Sequence, residues 1–146
     1  MLYDSLKTYL NLCLVSDESF SSVSVRPEYQ YGMEPNPPEI LLYLQDDSEM
    51  TEATTFEGET AKKVMLQAIV MVTDMKIDLK MVNAQKACTV LSDKLKQWLD
   101  KNTVKKNIPS ILNITRTSQR GATPYKTGTR CYFSVARFEV LVSTNE

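Results

Sequence analysis

Three groups of side chains in this 146-residue sequence combine residue type and spacing in ways that could do chemistry. Glu57-x-Glu59 puts two carboxylates on the same side of an extended chain, and with Asp46 and Asp47 they could hold a hard cation. These four belong to a polar segment, Asp46 to Thr60, that also carries Glu49 and Glu52 and contains no base. No glycine-punctuated ligand spacing accompanies them, so a solvated acidic loop is the commoner meaning of such a run. Arg116, Arg120, Lys126 and Arg130, interleaved with Tyr125 and Tyr132, form a basic-aromatic pattern of the kind that grips a nucleic-acid backbone. Four charges are few for that task, and a pI of 5.6 with a formal net charge of −1 supplies no long-range attraction for a polyanion. Cys13, Cys88 and Cys131 lie far apart with no C-x-x-C spacing, which fits buried free thiols in a reducing interior such as cytoplasm better than a metal site or a disulfide framework.

The chemistry that is missing narrows the function further. The sequence has no histidine, which removes every Ser-His-Asp or Cys-His relay, the His-rich zinc sites and the side chain best suited to proton transfer near neutral pH. Gly121 and Gly128 stand alone, so no glycine-rich loop cradles a phosphate. These absences point to a protein with no catalytic residue, no cofactor and no metal. No apolar run approaches the roughly 20 residues that span a bilayer, and the start, MLYDSLKTYLNLCL, mixes acid and base in an amphipathic pattern. Neither a signal peptide nor a membrane anchor is expected. At 42% hydrophobic and 24% charged residues, the composition is that of a folded protein with one core, read as a single domain over residues 1–146.

The elements that would position these groups can be read from hydrophobic periodicity. Leu2, Leu6, Tyr9, Leu10, Cys13 and Leu14 recur at steps of three and four and predict a helix over 2–15. Val23 and Val25 before Pro27 predict a short edge strand, and Ile40 to Gln45 a buried one. From Ala61 to Thr73 a longer strand places Val64, Leu66, Ala68, Val70 and Val72 on a core face and Lys63, Met65, Gln67, Ile69 and Met71 on the other. That second face is too apolar for full solvation: Met65, Ile69 and Met71 must lie under a second layer or meet a partner. Asp78 is placed to cap a helix over 79–101, whose stripe runs Ala84, Ala87, Cys88, Leu91, Leu95, Trp98 and Leu99, with Asn102 as its terminator. A strand opens at Ile111, and another fills Thr129 to Ser143. Thr115 to Gly128 between them is expected to be a long basic tip, matching the long acidic tip of the first pair. The fold class is α+β: a mostly antiparallel sheet of four to five strands packed with an N-terminal helix and one long helix.

Charge divides unevenly along the chain. Residues 1–73 hold 12 acids and 4 bases, giving −8, and residues 74–146 hold 6 acids and 13 bases, giving +7. The two halves either neutralise each other within one molecule or meet between neighbouring copies in a head-to-tail contact that closes into a ring.

The order of elements, carried by Leu2 to Leu14, PPEILLYLQ, AKKVMLQAIVMVTD, NAQKACTVLSDKLKQWL and RCYFSVARFEVLV, resembles the tail terminator proteins of long-tailed bacteriophages, also called neck or minor capsid proteins. The resemblance spans nearly the whole chain and rests on element order and periodicity, without a diagnostic motif. It implies a structural assembly protein of the virion, made in the host cytoplasm, that forms a hexameric ring capping the tail tube and presents a docking surface to the head. Its partners would be copies of itself, the tail tube protein and a head-completion or neck protein, with nucleic acid present only as genome passing through the ring. On this reading the interface residues are Glu49, Glu52, Glu57, Glu59, Met65, Ile69, Met71, Arg116, Arg120, Lys126 and Arg130. The competing expectation is a non-catalytic adaptor or chaperone-like module that acts as a monomer or dimer.

Overall fold

The structure, a computed structural model, describes residues 2–17, 20, 22–27, 36–46, 53–54, 60–125 and 130–143. In chain order its elements are α1 (Leu2–Ser16), β1 (Ser24–Pro27), β2 (Glu39–Asp46), β3 (Ala53–Thr54), β4 (Thr60–Val72), β5 (Met75–Ile77), β6 (Lys80–Val82), α2 (Ala84–Trp98), α3 (Lys101–Lys105), β7 (Ile111–Pro124) and β8 (Tyr132–Ser143). The fold is α+β. Among the described residues, the main sheet runs β1-β2-β4-β8-β7 with β3 paired to β4; β1 lies parallel to β2 and every other pairing is antiparallel. Pro27 stands on an edge strand, where its missing N–H leaves no ladder bond unmade.

The core lies on one side of this sheet. The predicted inward face of β4 is buried as expected, with Leu66, Ala68, Val70 and Val72 at 0–1% exposure. Ile40 and Leu42 of β2 and Ala136, Phe138 and Val140 of β8 join them in one cluster. Leu6, Leu10 and Leu14 of α1 and Ala87, Cys88, Leu91 and Leu95 of α2 complete it. Each fully buried leucine or isoleucine contributes roughly 1.5–3 kcal/mol. α1 is fixed against the end of α2 by a hydrogen bond from the Tyr9 hydroxyl to the Trp98 carbonyl (2.5 Å) and by the Phe20 and Trp98 rings, which meet edge to face at 6.1 Å. In the middle of α2, Ser92 donates to the Cys88 carbonyl at 2.6 Å and shares a hydrogen bond with Ser134 of β8, so both buried hydroxyls are satisfied.

Two sequence expectations need correction. The helix expected over 79–101 begins at Ala84, and residues 75–82 form a hairpin instead. Asp78 and Leu79 both adopt left-handed backbone conformations, with φ of 53° and 67°, which is the two-residue turn whose twist suits a hairpin. For leucine this conformation costs about 1–2 kcal/mol relative to the right-handed one. The cap comes from Asn83, whose side chain accepts from the Lys86 N–H at 2.9 Å, helped by Asp74, whose carboxylate accepts from the Ala84 N–H at 2.7 Å. Asp100 then caps the separate short helix α3 by accepting from the Asn102 N–H, so Asn102 lies inside a helix and terminates nothing.

The second correction concerns the basic tip. Thr115 to Pro124 is not a loop: it continues β7 along β8, with register shifts between Ile111 and Asn113, Arg116 and Ser118, and Arg120 and Thr123. Bulges of this kind twist an edge strand away from unwanted pairing. Residues 115–121 are exposed on both faces, which is why no alternation marks them in the sequence.

Candidate interaction surfaces

The face of the sheet turned away from the helices can be assembled from the strand registers, since residues directly opposite one another share a face. Its rows, read from β2 through β4 and β8 to β7, are Glu39, Met71, Phe133 and Thr123; then Leu41, Ile69, Val135 and Arg120; then Tyr43, Gln67, Arg137 and Ser118; then Gln45, Met65, Glu139 and Thr115. Among the described residues, no helix packs on these rows. The face grades from apolar at one end to mixed polar at the other. Leu41 and Met71 are buried, Ile69, Val135, Phe133 and Met65 are half-buried, and Tyr43 is 46% exposed.

At the apolar end the buried Glu39 carboxylate is held by Arg26 of β1 through Nε at 2.5 Å and Nη2 at 3.2 Å, and by the Asn36 backbone N–H at 3.0 Å. A carboxylate with no solvent exposure needs all three donors. At the polar end, Arg137 donates to the Gln67 side-chain carbonyl at 3.1 Å and Lys63 lies 3.6 Å from Glu139. The Lys63–Glu139 pair is half-exposed, so it contributes at most about 1 kcal/mol to folding. A shallow depression of about 300 Å³ opens between Tyr43, Met65, Gln67 and Arg137.

The structure separates the interface residues expected from sequence. Met65 and Ile69 do line the open face, but Met71 is only 3% exposed and offers little contact area of its own. Arg116, Arg120 and Arg130 form no patch. Arg116 stands opposite Phe138 on the helix side, in a hollow of about 230 Å³ with Lys96, Asp100 and Lys101. Arg120 stands on the helix-free face, its guanidinium 5.6 Å above the Phe133 ring. That ring also meets Tyr125 edge to face at 6.4 Å, so of the expected basic-aromatic residues only Arg120 and Tyr125 come together, through Phe133, while Tyr132 faces the opposite way. Arg130 is 87% exposed and 3.8 Å from Asp74. Glu49, Glu52, Glu57, Glu59, Lys126 and Asp47 lie outside the described residues; within the segment expected to be an acidic tip, Ala53–Thr54 forms β3, paired with β4 through Ala61 and Thr60.

Burial raises the thiol pKa of Cys88, with hydrogen bonds from Ser134 and Ser92 acting in the opposite direction. Cys13 and Cys131 are raised for the same first reason, the former opposed by its hydrogen bond to Tyr9 and the latter reinforced by the charges of Cys88 and Glu39. Tyr9 and Tyr3 are also raised, first by burial. A protonated, buried thiol is a poor nucleophile and a poor metal ligand. Among the described residues, no three His, Cys, Asp or Glu side chains are grouped to hold a metal ion, and no helix is long and apolar enough to cross a membrane.

Sequence reasoning missed the Arg26–Glu39 pair and the hairpin tip. Alternation of Met75 and Ile77 around Lys76 was the available sign of the hairpin, and Asn83 directly before Ala84 was the available sign of the cap. No family model matches this chain, and no curated protein matches it.

Proposed function

We propose that this protein is a structural assembly subunit that works by contact with copies of itself and with other proteins, and that it is a tail terminator, forming a ring at the head-proximal end of a bacteriophage tail tube and joining tail to head. The observation that carries the self-contact is the helix-free sheet face, where half-buried Met65, Ile69 and Val135 adjoin Tyr43 and the Lys63–Glu139 and Gln67–Arg137 pairs. A half-apolar centre with a polar, charged border is the composition of a protein interface. The element order supports the particular reading. Its partners are then the tail tube protein and a head-completion or neck protein; the site is the virion, reached by assembly in the host cytoplasm; and nucleic acid enters only as the genome passing through.

Light scattering on the purified protein, alone and mixed with tail tube protein, tests this reading, together with electron micrographs of the same samples. Closed rings are expected, and Ile69→Arg is expected to weaken self-association at least tenfold while leaving the thermal midpoint within a few degrees, because it removes roughly 1.5–3 kcal/mol of apolar contact from an interface. A strict monomer in both samples, or assembly indifferent to Ile69→Arg, overturns it. A two-fold dimer without rings would favour an adaptor or chaperone-like module.

A further inference from the structure

Positive charge is concentrated where negative charge is absent. Residues 101–138 hold eight of the chain's 17 Lys and Arg residues and no Asp or Glu. The fold brings much of this stretch to one border of the sheet, because β7 is its outermost strand and α3 packs against β7. Lys101 and Lys105, four residues apart, share a face of α3, and Lys106 follows as its C-cap; all three are exposed. Lys101 also lines the 230 Å³ hollow with Lys96 and Arg116, where Asp100 is engaged in capping α3. Arg116 and Arg120 form no patch on either face because they flank the edge, Arg116 on the helix side and Arg120 on the open side. Among the described residues, no carboxylate lies within ion-pair distance of Lys101, Lys105, Lys106, Arg116 or Arg120.

The strand that carries the two arginines decides the kind of partner. Thr115 to Gly121 are all exposed, and Thr115, Thr117, Ser118 and Gln119 add hydroxyl and amide donors, with no apolar side chain among them. A protein interface needs apolar anchors at its centre, and this edge supplies none. Phosphate oxygens need cations and small polar donors, and nothing apolar.

We propose that the β7 edge and α3 bind the phosphate backbone of double-stranded nucleic acid without regard to sequence. Arg116, Lys101 and Lys105 contact phosphates from the helix side of the edge and Arg120 from the open side. A formal net charge of −1 gives no long-range attraction, so the contact is short-ranged and favoured by low salt. It does not rest on the ring reading, and duplex binding and light scattering can fail separately.

Fluorescence anisotropy of a labelled DNA duplex of about 30 base pairs, titrated with the protein between about 20 and 200 mM NaCl, tests the proposal. Affinity is expected to fall with salt at a log–log slope of about −3 to −4, the value for roughly four neutralised phosphates. Combining Arg116→Gln with Arg120→Gln is expected to make the slope shallower by about two and to weaken binding at least tenfold. Both side chains are exposed, so the thermal midpoint of this variant is expected to stay within a few degrees of wild type. Lys80→Gln, on the separate β5–β6 hairpin, is expected to leave slope and affinity unchanged. Absence of binding at the lowest salt, or a slope indifferent to the double variant, overturns the proposal. So does polyglutamate of matched charge competing as well as unlabelled duplex, the mark of an acidic protein partner.

Discussion

Arg26→Ala should cost this protein about 3 kcal/mol of folding stability, the low end of the usual range for removing one partner of a buried ion pair, because Arg26 itself keeps 26% side-chain exposure. The loss arises at the partner. Glu39 has no solvent exposure, and without the guanidinium its carboxylate loses the hydrogen bonds from Nε and Nη2 and retains the Asn36 N–H. Urea denaturation at neutral pH measures the effect. A loss under 1 kcal/mol would show that Glu39 finds water or another donor. The double variant Arg26→Met with Glu39→Leu is expected to recover to within about 1 kcal/mol of wild type, since an apolar pair of similar volume avoids the desolvation penalty. That recovery would identify the pair as a device for seating β1 in register on β2, with little net stabilisation of its own.

The second large effect is alkaline. Cys88, Cys131, Cys13, Tyr9 and Tyr3 all have pKa values raised above their ordinary 9.0 for thiols and 10.0 for phenols, with burial as the first cause in each. Each of these groups is neutral when protonated, so the folded protein keeps protons that the unfolded chain releases. Their contribution to stability is complete below about pH 8 and is lost as pH rises through the unfolded values. The slope limit is about 1.4 kcal/mol per pH unit for each group. Among the thiols, Cys88 is fully buried and is expected to lose the most as pH rises past the unfolded value. The half-exposed Tyr3 and Cys13 contribute less because water solvates their ionised forms. The stability derived from urea midpoints is expected to be lower at pH 10.5 than at pH 7.5, with Cys88→Ala flattening the curve. A flat profile to pH 10.5 would contradict the burial of these thiols.

How much of this was legible beforehand depends on what each element faces. α1 and α2 present one stripe to the core, so Leu6, Leu10 and Leu14 and then Ala87, Leu91 and Leu95 mark them at helical spacing. β4 is apolar on both sides and betrayed its second face, although Met71 turned out buried and only Met65 and Ile69 remained partly open. β7 beyond Ile114 is exposed on both sides, so water imposes no alternation on it and a strand there is indistinguishable from a loop. The hairpin was hidden for a different reason: its turn uses Leu79, a residue that intrinsic preference excludes from that position. Dispersal of the arginines has a further cause: an unbroken strand would hold Arg116 and Arg120 on one face, and the register shift between Arg116 and Ser118 sends them to opposite faces of the sheet.

The strand that appears last in the chain, β8, occupies the middle of the sheet, between β4 and β7. Its pairing with β4 joins Ala61 to Ser143 at one end and Val72 to Tyr132 at the other. A nascent polypeptide emerging from the ribosome therefore exposes an unsatisfied β4 edge until β8 has been synthesised. Completion of the sheet must wait for β8, and the long closure distances make it slow by the standards of helical proteins. Premature termination before Tyr132 would leave that edge open to pairing with other unfinished chains.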